Sequence, residues 1–128
     1  MGELTGDPID PIDPTAFSVG KQQVDQAVVL NVSGEVDMLS SPHLAEAIQT
    51  ALATKPAALI VDLSKVDFLA SAGMTVLVTA QAETTPPTQF AVVANGSATS
   101  RPIKLMGIDS VLALYSSLDD ALSGTTGG

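Results

Sequence analysis

The sequence predicts an α/β fold, in which a single domain holds a mixed sheet of about five strands packed by about four helices. The length of 128 residues is enough for one hydrophobic core. Short apolar runs typical of buried strands alternate with segments of helical periodicity. The first two strand-like segments follow each other directly and the later ones are separated by helix-like segments, which indicates an N-terminal hairpin followed by parallel crossovers.

The N-terminal half of the domain is predicted to hold the hairpin and one long helix. The alternating segment that starts at Phe17 and the β-branched run 27–32 fit two paired strands. Ser41 followed by Pro42 has the pattern of a helix N-cap and first helical position, and Pro56 ends the helix. Between them, apolar residues recur at helical spacing: Leu44, Ile48, Ala51 and Leu52.

The C-terminal half is predicted to alternate strands and helices. The apolar run 58–63 fits a strand buried on both faces, as a parallel sheet requires. Segment 72–82 is β-rich by propensity, but we predict a largely buried helix, because Ser71 can cap it and a crossover is needed between buried strands. The remaining predicted elements are a strand at 90–94, a helix at 101–106 closed by Gly107, a strand at 111–115 and a helix at 118–122.

Three regions are expected along the chain. Residues 1–15 contain three Asp-Pro pairs and are expected to form a disordered acidic tail. Residues 16–122 form the folded domain, and residues 123–128, which are Ser, Gly and Thr only, form a flexible C-terminal tail.

Charge and composition exclude several classes of function. The chain carries 14 acidic and 5 basic residues, a net charge of −9, which repels nucleic acid phosphates and anionic lipids. We therefore expect neither nucleic acid nor membrane partners, but a protein partner. The absence of Cys excludes disulfides and thiol chemistry. With no signal peptide pattern and no apolar run of membrane-spanning length, a cytoplasmic location is expected.

Catalytic and metal-binding patterns are also missing. His43 is the single histidine and has no nucleophile or carboxylate pair placed near it by the sequence. No phosphate-binding loop or spaced glycine fingerprint is present. Met38, Met74 and Met106 fit gap-filling or adaptable contact residues better than metal ligands. The sequence therefore predicts a non-enzymatic protein without a cofactor or metal.

The stretch from Val61 to Met74 is the most informative part of the sequence. It reads as a buried strand followed by a short loop that ends in Ser71 at a helix start. Small residues surround this serine and leave its hydroxyl accessible to a partner: Ala70, Ala72 and Gly73.

Three motifs in this sequence resemble the STAS domain of bacterial anti-sigma factor antagonists. The first is Asp62-Leu63-Ser64 followed by Val66-x-Phe68-x-Ala70-Ser71-Ala72-Gly73-Met74. The second is Gly34-Glu35-Val36-Asp37, and the third runs from Ile103 to Ile108. Together they cover about residues 17–122 in the order of that family, and the resemblance implies a STAS-like fold.

The resemblance also implies a function in partner switching, of the kind that controls transcription in stress responses. An antagonist of this family binds an anti-sigma factor with serine kinase activity and so releases a sigma factor, and phosphorylation of the antagonist, here at Ser71, switches it off. The partner-binding residues that this implies are Asp37, Met38, Ser40, Ala70, Ala72, Gly73 and Met74. Two positions depart from the family pattern, since Ala70 replaces an Asp and Ala72 replaces a Ser.

Other interpretations of the same residues stay open. Ser71 can be a plain N-cap, and Asp37 can be an ordinary turn residue before the first long helix. The protein can instead be a STAS structural subunit of a transport or signalling assembly without a phosphoswitch, or a small-molecule module that uses a helix N-terminus as an anion site. The oligomeric state is left open by the sequence.

Overall fold

A five-stranded sheet forms the centre of the protein in the computed structural model, which describes residues 17–125. The order of the strands in the sheet is their order in the chain. The first pair is antiparallel and all later pairs are parallel, which confirms the predicted hairpin followed by crossovers. The strands are β1 (Ser18–Val24), β2 (Ala27–Val36), β3 (Ala58–Leu69), β4 (Gln89–Val93) and β5 (Ala113–Tyr115).

Four α-helices and one short 3₁₀-helix connect and cover the strands. They are α1 (Ser41–Ala53), α2 (Ser71–Glu83), α3 (Ser100–Leu105), the 3₁₀-helix Ile108–Ser110 and α4 (Leu118–Thr125). The larger core unites α1, α2 and α3 with one face of the sheet, where Leu44, Leu77 and Ile103 are fully buried. Helix α4 packs on the other face through Ala121. The helices therefore cover both faces of the central strands. Successive side chains of a strand point to opposite faces, so the side chains on both sides of these strands are buried.

The two central strands explain why the apolar runs at 27–32 and 58–63 predicted buried strands. Residues 27–30 of β2 and 58–61 of β3 are all fully buried. A strand covered on both faces needs apolar residues at every position rather than at alternate ones.

Strand β3 is longer than predicted, and the expectation of a short loop after Leu63 is wrong. Pairing between β2 and β3 continues to its last pair, Val36 with Leu69. Two shifts in register interrupt it, and the second leaves Asp67 without an opposite residue on β2. Gly34 lies at this shift with φ of 88°, a backbone conformation that glycine adopts without strain.

Both predicted N-caps were displaced by one residue. The N-cap of α2 is Ala70 in an extended conformation, and Ser71 is the first helical residue. In the same way Ser40 is the N-cap of α1, and Ser41 is its first residue. Adjacent small residues give similar local signals, and only the backbone angles separate cap from first turn.

The burial of α2 is also less complete than its sequence suggests. The buried residues lie on one face of the helix: Gly73, Met74, Leu77 and Ala80. Ser71, Thr75, Thr79 and Glu83 are exposed on the opposite side. The buried face of α2 therefore packs against the sheet and α1, while its polar side chains face outward.

The other element boundaries agree with the prediction to within a few residues. Helix α3 ends before Gly107, as predicted, and the φ of 73° places this glycine in the left-handed region. Strand β5 begins at Ala113 rather than Val111. Helix α4 continues to Thr125, into the predicted tail 123–128, because Thr125 is buried and its hydroxyl donates to the Ala121 carbonyl at 2.7 Å. The predicted tail 1–15 lies outside the described residues, as do residues 126–128.

The close packing of α2 against β2 depends on Gly73. A Cβ atom at this position would lie 2.6 Å from Cγ1 of Val36 and 2.8 Å from Cδ1 of Leu69. Both distances are far below van der Waals contact. Val36 is fully buried, and its β-branched side chain has little rotameric freedom. Glycine is therefore the residue that allows the first turn of α2 to approach the end of β2.

We predict that Gly73→Ala destabilises the protein although alanine favours helices. Overpacking costs about 1–3 kcal/mol, whereas replacing glycine inside a helix gains about 1 kcal/mol. The expected net loss is about 1 kcal/mol in the free energy of unfolding, measured by urea denaturation. Adding Val36→Ala should recover part of the Gly73→Ala loss in a double-mutant cycle.

The matched control for this prediction is Gly96→Ala, because a Cβ at Gly96 would have no atom within 4 Å. This variant should keep the stability of the parent protein. A Gly73→Ala protein as stable as the parent would show that the contact with Val36 does not limit this position.

Candidate functional site

The candidate site lies where β2 and β3 end and where α1 and α2 begin. Neighbouring parallel strands end at the same edge of a sheet, so the residues that follow Val36 and Leu69 come together. The Ala70 N–H donates to the Val36 carbonyl at 2.9 Å and joins the two segments. We call this region, Asp37–Ser40 and Phe68–Met74, the switch edge.

Ser71 is exposed at the switch edge. Within residues 17–125 its hydroxyl makes no hydrogen bond, so it has no structural role as a cap. The first hydrogen bonds of α2 run from the Gly73 and Met74 N–H groups to the Ala70 carbonyl. The N–H groups of Ser71 and Ala72 therefore have no acceptor inside the helix. The serine combines an accessible nucleophilic oxygen with free donors that favour an anion nearby.

Asp37 shapes the loop between β2 and α1. Its Oδ1 accepts hydrogen bonds from the Leu39 and Ser40 N–H groups, each at 3.0 Å. The Ser40 hydroxyl accepts from the Asp37 N–H at 2.9 Å and lies within donor distance of the Glu35 carbonyl, at 2.8 Å, and of Oδ1, at 3.1 Å. The hydrogen bonds from Ser40 lower the pKa of the Asp37 carboxyl below its usual value of 3.8. Asp37 is therefore an ionised turn residue, as one of the open interpretations stated.

Three large apolar side chains are exposed at the switch edge. Met38 is 76% exposed and Leu39 is 83% exposed, in the loop whose Leu39 and Ser40 N–H groups donate to the Asp37 carboxylate. Phe68 is 50% exposed at the end of β3. Exposed apolar side chains at the same sheet edge as an accessible serine are typical of a surface that binds another protein.

The sequence interpretation missed two of these three residues, Leu39 and Phe68. Leu39 has a local signal, since Met38 and Leu39 form an apolar pair in a loop with no helical or strand periodicity around it. Phe68 has none, because the extra residue Asp67 places it opposite Glu35, on the other face of the sheet from Val66.

The residues predicted from the sequence divide into exposed and buried ones. Ser71 and Met38 are exposed, and Asp37, Ala70 and Ala72 are half-buried. Ser40, Gly73 and Met74 are buried, with Met74 only 7% exposed. These three residues offer a partner little accessible surface, and their role in partner binding stays a prediction. The side chain of Met74 belongs to the hydrophobic core, in the same cluster as Val36 and Leu69.

The remaining chemistry of the described part of the chain is sparse. His43 is exposed, and its ring centroid lies 6.4 Å from that of Phe17. Among residues 17–125 no group of three or more His, Cys, Asp or Glu side chains is placed to hold a metal ion. Of the helices in this range, none has the length and apolar character to cross a bilayer.

The fold and the serine at this sheet edge define a STAS domain, and the model of the STAS domain family matches residues 18–121. The chain belongs to this family. The anti-sigma-F factor antagonist RsfB of Mycobacterium tuberculosis is 41% identical over 115 residues, which are 90% of this chain and 94% of RsfB.

Two solved structures are also similar to this chain. The crystal structure of an anti-sigma factor antagonist from Mycobacterium paratuberculosis matches with a TM-score of 0.84 and 42% identity, over 88% of this chain and 97% of that one. The anti-sigma factor antagonist SpoIIAA in its unphosphorylated form matches with a TM-score of 0.68 and 16% identity, over 88% of this chain and 98% of that one. At this identity SpoIIAA supports the fold alone.

The hydrogen bonds of Asp37 lead to a prediction about pH. Because its pKa is lower in the folded protein than the usual 3.8, the charged form stabilises the fold at neutral pH. Asp37→Asn keeps an accepting Oδ1 but removes the charge. The difference in unfolding free energy between parent and variant should be constant above about pH 5. It should shrink as the pH falls below 3.8 and through the lower folded pKa.

Urea denaturation of both proteins between pH 3 and pH 7 measures this difference. Asp67→Asn is the control, since the Asp67 carboxylate accepts no hydrogen bond from residues 17–125. The prediction is wrong if the Asp37→Asn difference is the same at every pH.

Proposed function

We propose that this protein is an anti-sigma factor antagonist: it binds an anti-sigma factor through the switch edge and thereby releases a sigma factor. The observation that carries the proposal is the exposed Ser71, whose hydroxyl makes no hydrogen bond within residues 17–125, at the same sheet edge as the exposed side chains of Met38, Leu39 and Phe68. The 41% identity to RsfB over most of both chains supports the same function. This role is regulatory and non-enzymatic, and it belongs in the cytoplasm, where sigma factors act.

We further propose that phosphorylation of Ser71 switches the protein off, and that the anti-sigma factor is the kinase. In this reaction the Ser71 hydroxyl oxygen forms a bond to the γ-phosphorus of ATP, the bond to ADP breaks, and the hydroxyl proton passes to a base of the kinase. Ser71 suits this step because its hydroxyl is exposed and is not held by another residue in the 17–125 range.

The fold can accept the phosphate at this position. Phosphorylation adds about −1.5 to −2 charges at pH 7. The first turn of α2 holds no acidic residue, and its free N–H groups and helix dipole favour an anion. Ala70 and Ala72 add no further negative charge beside the serine. The modified protein should therefore stay folded.

A bound partner cannot accept the phosphate as easily. The proposed interface packs Met38, Leu39 and Phe68 against the partner and removes the neighbouring Ser71 from water. A dianion in this place must lose its hydration without a prepared counter-charge, which costs several kcal/mol. The phosphate therefore blocks docking while the core of the antagonist is unchanged.

We expect Ser71→Ala to bind the anti-sigma factor constitutively and Ser71→Glu to bind it weakly. A single unpaired charge at the interface should increase the Kd at least about 30-fold, which is about 2 kcal/mol. Isothermal titration calorimetry with the purified anti-sigma factor measures both values, and phosphorylation with ATP should modify the parent protein but not Ser71→Ala.

The matched control is Ser123→Glu, because Ser123 is exposed on α4, which packs on the other face of the sheet. It should bind like the parent. Equal Kd values for Ser71→Ala and Ser71→Glu would contradict the switch and favour a STAS subunit without a phosphoswitch.

A second prediction tests the apolar part of the switch edge. Replacing both Met38 and Leu39 by Ser should leave the unfolding free energy nearly unchanged, because both side chains are mostly exposed. Binding should weaken by about 2–4 kcal/mol, since burying each apolar side chain contributes about 1.5–3 kcal/mol when complete. The measured quantities are the Kd and the urea midpoint.

Val111→Ser is the control for this double variant. Val111 is also an exposed apolar residue, but it precedes the start of β5 and so lies at the opposite edge of the sheet. Equal loss of binding in the control and the double variant would mean that the switch edge is not the docking surface.

A further inference from the structure

We infer that the acidic N-terminal segment, residues 1–16, docks in cis on a basic and apolar surface of α3. We call this surface the α3 patch and define it as Arg101, Lys104 and Leu105. These residues lie at positions i, i+3 and i+4 of α3, so they share one face of the helix. They line an open cleft of about 400 Å³ together with the loop that follows β4.

The α3 patch is exposed and unpaired. Leu105 is 76% exposed, and Met106 beside it is 65% exposed. Arg101 and Lys104 are exposed and have no carboxylate partner among the residues described by the structure. These two cations are among only five in the whole chain, whose net charge is −9. A locally basic surface with an exposed Leu is therefore unusual in this molecule and fits an acidic segment that carries apolar residues.

The N-terminal segment has this chemistry. Residues 1–16 contain four acidic residues and no basic one. Asp recurs at every third position from Asp7 to Asp13, and Ile9 and Ile12 lie between these acids. The segment therefore carries acidic and apolar side chains close together in sequence, and these groups complement the cations and the exposed Leu of the α3 patch.

The length of the segment is sufficient for docking in cis. Strand β1 begins at Ser18, opposite Ser33 of β2, near the edge where the parallel strands end. Strand β4, which leads to α3, lies three strands away, or about 14 Å. Fully extended chain covers about 3.3 Å per residue, so Ile12 can reach about 20 Å from Ser18 and Ile9 about 30 Å. The distance to β4 is therefore within the reach of both Ile residues.

The test uses paramagnetic relaxation on the full chain. The protein has no Cys, so Thr5→Cys gives one site for a nitroxide label. In low salt the label should broaden the amide signals of Lys104, Leu105 and Met106 relative to the sample with reduced label. Arg101→Glu with Lys104→Glu should abolish the broadening, and adding Asp10→Lys with Asp13→Lys should restore it.

The matched control is Lys21→Glu with Lys55→Glu, which makes the same change in total charge at two other exposed lysines and should keep the broadening. Raising the NaCl concentration to 1 M should also remove the broadening without any substitution at the patch, because the Debye length is then about 3 Å. Three results would overturn the inference: no broadening in low salt, broadening that survives charge reversal at the patch, or broadening between labelled and unlabelled molecules in a mixture.

Discussion

The long parallel pairing of β2 with β3 is the constraint on which the rest of the structure depends. The two strands continue past both neighbours, since β1 begins opposite Ser33 and the pairing of β4 stops at Asp62. Their last pair, Val36 with Leu69, then sets where the next two segments start. Helices α1 and α2 follow within a few residues, so the loop of Asp37 and the first turn of α2 are held side by side.

The sequence predicted those parts of the fold whose signal is local. Continuous apolar runs identified the buried halves of β2 and β3, and helical spacing identified α1. The sequence pattern did not predict residues 64–69 of β3 as strand. Ser64, Lys65 and Asp67 are polar, and two register shifts break the alternation that is typical of a strand. What makes these residues a strand is pairing with residues 33–36, which lie 32 or 33 positions earlier, and no short-range pattern contains that information.

The candidate site was predictable to a similar degree. A serine among small residues at a helix start pointed to Ser71, and its exposure agrees with that expectation. The apolar surface around it was only partly recognised. Leu39 lies in a loop held by hydrogen bonds to the Asp37 carboxylate, and the extra residue Asp67 sets the face of the sheet on which Phe68 lies. Both effects depend on backbone geometry rather than on residue type, so the sequence pattern does not contain them.

The displacement of the N-cap by one residue matters for the proposed switch. A serine at the cap would bond to the backbone, and replacing such a cap costs about 1 kcal/mol of helix stability. Here Ala70 occupies the cap and no side-chain hydrogen bond is made there. The Ser71 hydroxyl is therefore free to react without loss of a structural contact, while Gly73 and Met74 hold the turn beneath it. Because stability and modification rest on different residues, a phosphate at Ser71 can change what the protein binds without changing how it folds.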